Sequence, residues 1–72
     1  MSAYTTTYKV DGVNSAHCKG VVTKALGEIE GVDAIDITIG TGLVTVHSTA
    51  ALDDTVVEET IEDAGYDYRG RA

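Results

Sequence analysis

Ile35-Asp36-Ile37-Thr38-Ile39-Gly40-Thr41-Gly42-Leu43-Val44-Thr45-Val46-His47, in the middle of the chain, decides the fold. Ile35, Ile37 and Ile39 alternate with Asp36 and Thr38, the period of a strand with one wet face. Gly40-Thr41-Gly42 is a short hairpin connection, and Val44 and Val46 alternate with Thr45 and His47 in the partner strand. Outward from this hairpin the period changes on both sides. Before it, Cys18, Val21, Val22, Ala25, Leu26 and Ile29 recur in steps of three and four, which predicts an amphipathic helix to about Glu28. Ser15 is placed to cap its start, and Gly31 fits the position just past its end. After the hairpin, Asp53 or Asp54 caps a second helix whose buried stripe is Val56, Val57, Thr60, Ile61 and Ala64, closed by Gly65. Tyr4 to Val10, with Tyr8 and Val10 on one face, predicts a first strand, and Tyr66-Asp67-Tyr68 a short last one.

The order is therefore strand, helix, strand, strand, helix, strand. Two split strand-helix-strand units of this length fold most simply as an α+β, ferredoxin-like βαββαβ sandwich. Right-handed crossovers place both helices on one face of a four-stranded antiparallel sheet. The other face carries Thr5, Thr7, Lys9, Asp36, Thr38, Thr45 and His47, which suits water. Residues 1–72 form a single domain, with Met1 to Ala3 and Arg71 to Ala72 expected as loose ends.

Composition narrows the function. Twelve acidic residues against five basic ones give a net charge of −7, which argues against binding a nucleic-acid backbone. No apolar run approaches a membrane span, and no basic-then-apolar leader opens the chain, so no membrane insertion is expected. The single Cys excludes an internal disulfide framework and points to a reducing, cytoplasmic setting. A chain this small is not expected to enclose a substrate pocket, so function should lie in a surface loop or on an exposed face.

The informative loop is Gly12-Val13-Asn14-Ser15-Ala16-His17-Cys18, where the first strand hands over to the first helix. A Cys in the first helical turn faces unpaired N–H groups and the positive end of the helix dipole. Both favour the thiolate, the form that binds soft metals, and Lys19 beside it is expected to push the same way. Taken from the residues alone, other readings stay open. Cys18 also serves as a small buried hydrophobe, Ser15 as a cap and nothing more, His17 as a solvated side chain, and Tyr66 as a ring packed at the sheet edge. His47 reads as a surface residue because Val44 and Val46 take the inward face.

From about Tyr4 to Tyr68 the chain resembles the heavy-metal-associated domain, and within it the small bacterial copper chaperones. The resemblance rests on the loop above, on Gly31-Val32, on Thr41-Gly42-Leu43-Val44, and on Ile61-Glu62-Asp63-Ala64-Gly65-Tyr66. In that family the loop carries Met where this chain has Val13, and a first Cys where it has Ser15. His17 before the last Cys is common in bacterial members, and Tyr66 matches a tyrosine close to the metal loop. The resemblance implies a cytoplasmic carrier of Cu(I), or of Ag(I) or another soft ion, with Cys18 and His17 as ligands and Ser15 and Tyr66 beside them. It implies a copper-transporting P-type ATPase, or another metal-binding domain of the same fold, as partner.

Ser15 breaks the two-sulfur pattern, because a neutral hydroxyl is a poor ligand for an ion that selects thiolates. The site must then be completed by His17, by Cys18 of a second copy in a metal-bridged homodimer, or by a partner's Cys. Alternatively the chain is a degenerate member of the fold, acting as a protein-interaction or regulatory module. One Cys and two distant His cannot form a structural zinc site. An enzyme is not expected, since Cys18 lacks an orienting group behind His17. The acylphosphatases, with the same element order, need an Arg in the first loop, and none precedes Arg69. Charge is divided as well. Asp53, Asp54, Glu58, Glu59, Glu62, Asp63 and Asp67 fall in a segment without Lys or Arg, whereas Lys19 and Lys24 sit on the first helix, an asymmetry suited to orienting a partner.

Overall fold

A computed structural model describes residues 3–72. Met1 and Ser2, expected as part of a loose N-terminus, lie outside the described residues. The elements are β1 (Tyr4–Asp11), α1 (Ala16–Gly27), β2 (Val32–Thr38), β3 (Leu43–Ser48), α2 (Asp54–Asp63) and β4 (Asp67–Arg71). They form one antiparallel sheet in the order β2-β3-β1-β4. This is the expected ferredoxin-like arrangement.

Alternation along the strands sorts the two faces. Tyr8, Val10, Ile37, Val44 and Val46 turn inward and meet Val22 and Leu26 of α1 and Val57 and Ile61 of α2 in one core. Each such burial contributes about 1.5–3 kcal/mol, which is how a chain without disulfides holds together. On the open face, Thr7 and Thr45 pair through their hydroxyls at 3.1 Å. The His47 ring bridges Thr5 at 3.3 Å and Asp36 at 3.1 Å.

Helix boundaries follow their caps. Ser15 has extended backbone and accepts the Cys18 N–H, while Asp53 accepts the Thr55 N–H at 2.8 Å. At the far end of α2, the Gly65 N–H bonds Glu62 O and the Tyr66 N–H bonds Ile61 O, the Schellman pairing that needs a left-handed residue at Gly65.

Four expectations are corrected. Gly31 does not close α1, which ends at Gly27 and unwinds through bonds from Glu28 to Ala25 and from Ile29 to Leu26. Gly31 instead receives the Thr49 N–H at the entry to β2. Ile39 lies beyond β2 and is 41% exposed, because the chain already turns there. Val56 is 43% exposed while its neighbour Val57 is sealed. The last strand starts at Asp67, not Tyr66, and runs to Arg71, so the C-terminus is not loose.

That longer strand has identifiable support. Tyr8 pairs with Arg71 and Val10 with Tyr68, so β4 carries one extra residue between them, a bulge at Gly70. Arg71 holds Asp54 with two nitrogens, Nη2 at 2.9 Å and Nε at 3.1 Å, and the Tyr8 hydroxyl donates to the same carboxylate at 3.2 Å. The Ala72 N–H bonds Thr7 O at 3.0 Å.

Candidate metal site

The loop between β1 and α1 is anchored at three points. At its base, the Arg69 Nε donates to Asp11 at 2.7 Å, with Lys9 at 3.5 Å on the other carboxylate oxygen. The Arg69 guanidinium holds the Asp11 carboxyl below its usual range. Beneath the loop, Val13 is buried in the core. At its exit, Ser15 starts α1.

Between these anchors, Gly12 has φ +98°, and a Cβ there would stand 3.2 Å from Cδ1 of Tyr66. The Tyr66 ring therefore lies against bare backbone, a closeness only glycine permits at a positive φ. Tyr66 reaches this place because the Schellman turn at Gly65 swings the chain back toward the loop.

Cys18 is half-buried, one turn into α1. The Ser15 hydroxyl acts on it twice, accepting the Cys18 N–H at 3.3 Å and donating to Sγ at 3.3 Å. Asn14 Oδ1 stands 3.9 Å from the sulfur. Hydrogen bonding from the Ser15 side chain, then from the Tyr66 side chain, then from the Asn14 backbone, holds the Cys18 thiol below its ordinary value, against an opposing desolvation. The same contact with Cys18 raises the Tyr66 phenol. Lys19, expected to favour the thiolate, is exposed and is not among these leading groups. The sequence assigns Asn14 and Gly12 no role. Neither has a local signal: Gly12 meets Tyr66 from far along the chain, and Asn14 favours the thiolate through its backbone.

The structure thus brings Ser15, Cys18 and Tyr66 together. It does not gather a chelate around them. His17 is exposed, on a bearing about 100° from Cys18 around the helix, as adjacent helical residues are. His47 is on the open sheet face with Asp36. Among the described residues no group of three or more His, Cys, Asp or Glu side chains is placed to hold a metal ion. One sulfur at a helix mouth, its thiol held below the ordinary value, is what the site offers a soft cation.

The model of the heavy-metal-associated domain family matches residues 7–67. The copper chaperone CopZ of Staphylococcus saprophyticus is 38% identical over 69 residues, covering 90% of this chain and 97% of that protein. A solved CopZ metallochaperone superposes with a TM-score of 0.82 at 31% identity, over 92% of this chain and 100% of that one. A copper-binding domain from a P-type ATPase superposes with a TM-score of 0.81 at 25% identity, over 94% and 93% of the two chains.

Proposed function

The chain belongs to the heavy-metal-associated domain family, and on that premise we propose that it carries Cu(I), bound through Cys18 with a second ligand supplied by another molecule. The chain is not an enzyme; the relatives it matches are named as chaperones. The observation that carries the proposal is the pairing of Ser15 and Cys18. The hydroxyl at position 15 donates to the sulfur and so stabilises a thiolate, yet adds no second soft ligand of its own.

A lone thiolate leaves Cu(I) under-coordinated. The missing ligand comes from Cys18 of a second copy, or from a cysteine of a P-type ATPase or of another domain of this fold, such as the solved P-type ATPase domain it resembles. His17, the residue before Cys18 but on a different bearing of the helix, serves as an added ligand where a second molecule brings the ion within its reach. Ag(I) shares the same chemistry. Such a carrier works in the cytoplasm, where thiols stay reduced. No helix among the described residues is long and apolar enough to cross a membrane.

Anaerobic titration with Cu(I) against a competing chelator tests this directly. Binding should disappear in Cys18→Ala, and sedimentation with one equivalent of Cu(I) should show either a doubled mass or a complex with an added partner domain. Ser15→Cys should tighten binding and return the complex to a monomer. A second reading rests on the same serine. By satisfying both the Cys18 N–H and the sulfur, Ser15 closes the loop on itself, as expected of a domain that has given up metal and binds protein alone. Absence of Cys18-dependent Cu(I) binding, with and without a partner domain, would establish that reading.

A further inference from the structure

The two helices leave between them an open groove of about 780 Å3. Val21, Ala25 and Ile29 line it from α1 and the turn that follows, and Val56 and Ala64 from α2 and its cap. Val56 lies on this groove with 43% of its surface exposed. The apolar stripe of α2 is therefore wider than the domain's own core covers, and the excess gathers in one place. The rim is charged, with Glu28, Glu30 and Asp63 against a single cation, Lys24. The chain from Asp53 to Asp67 adds further carboxylates and no Lys or Arg.

From this apolar floor and acidic rim we infer that the groove seats a short amphipathic helix of a partner protein, with apolar residues on one face and Lys or Arg beside them. Helices dock in grooves through anchors spaced three and four residues apart. Val21 and Ala25, one turn apart on α1, with Ile29 in the turn that follows, give such anchors an apolar floor to meet. The cations follow from the rim, where they would meet an excess of carboxylates. A second copy of this chain does not fit as occupant. At a net charge of −7, its own acidic α2 would face the same carboxylates. The inference is independent of metal, since none of the groove residues is a candidate ligand.

The test uses metal-free protein with a chelator present and a synthetic helical peptide of about 14 residues, leucines at helical spacing flanked by lysines. Titration followed by amide NMR should move resonances of Val21, Ala25, Ile29, Val56 and Ala64, with affinity falling as salt rises. The same peptide with Glu in place of Lys should bind at least about tenfold more weakly. Val56→Asp decides between groove seating and mere charge attraction. It adds a negative charge to an exposed position, so attraction alone would tighten binding, whereas groove seating weakens it by roughly tenfold. Val56→Ser, which changes no charge, should weaken it in the same direction. Shifts spread over the outer face of α2, tighter binding by Val56→Asp, or equal binding of the Glu peptide would overturn the inference. So would a dimer of the free protein that Val56→Asp abolishes, which would make a second copy the occupant.

Discussion

The two helices begin in opposite ways. α2 opens on Asp53 and Asp54, a charged cap followed by an acid in the first turn, and Arg71 clamps the second of them. α1 opens on neutral Ser15 with no acidic residue in its first turn. Both ends carry the same partial positive charge from their unpaired N–H groups. In α2 that charge is met by permanent carboxylates and contributes to stability. In α1 it is met only by a hydroxyl, and the nearest group able to become an anion is Cys18. A helix end left electrostatically open leaves Cys18 as the group whose anion it favours, and the contrast within one small domain ties this to the cap, Ser15 being the leading cause of the lowered thiol.

The most disruptive way to erase the difference is Ser15→Asp, which gives α1 the kind of start α2 has. A carboxylate caps as well as a hydroxyl, so the unfolding free energy should hold within about 0.5 kcal/mol. The fixed charge beside the sulfur should nevertheless slow iodoacetamide alkylation of Cys18 at neutral pH by roughly tenfold and weaken Cu(I) binding with it. Unchanged alkylation would show that the cap does not govern the thiol.

Removing each cap separately sharpens the contrast. Ser15→Ala and Asp53→Ala should each lower stability in urea by about 1 kcal/mol. Only Ser15→Ala should also move the pH midpoint of alkylation upward, since Ser15 is the leading cause of the depressed thiol.

The two ends should also separate by pH. Folding lowers the Asp54 carboxyl through Arg71, so its contribution is present above the unfolded chain's value and is lost as pH falls through the folded one, in the acid range. Folding lowers the Cys18 thiol too, so that part fades as pH falls through the folded value, at much higher pH. Stability measured against pH should show both losses. Asp54→Asn should reduce the acid one, leaving the share that Asp11 contributes through Arg69, and should leave the other loss intact; an unaltered acid limb would count against the Arg71 clamp.

Tyr66→Phe should have the smallest effect, a rise in the alkylation midpoint below that of Ser15→Ala, because Tyr66 ranks second to Ser15 in favouring the thiolate. An equal or larger rise would reverse that ranking.

Much of this was legible in local pattern. The alternation on either side of Gly40-Thr41-Gly42, short of Ile39, the cap at Ser15 and the stop at Gly65 each follow from neighbours a few residues apart, and these stand in the structure. The misreadings share a cause. Val56 sits on the stripe predicted to be buried, but whether α1 covers it depends on how two helices approach each other. Arg69-Gly70-Arg71 has no strand-like alternation, and it pairs because β1 offers an edge and Asp54 offers a carboxylate. Gly31 serves the entry to β2 and not the end of α1, since a glycine's position does not say which neighbour needs it.

Read alone, the residues determined the element order, the sandwich, and the supply of a single thiol with a serine three places before it. The meeting of that thiol with Tyr66, the clasp of Arg71 on Asp54 and Tyr8, and the open apolar groove were decided by tertiary structure. The reason is physical: caps and alternation are set by adjacent dihedrals and spacing, whereas contacts between residues dozens of positions apart exist only once the sheet has chosen its neighbours.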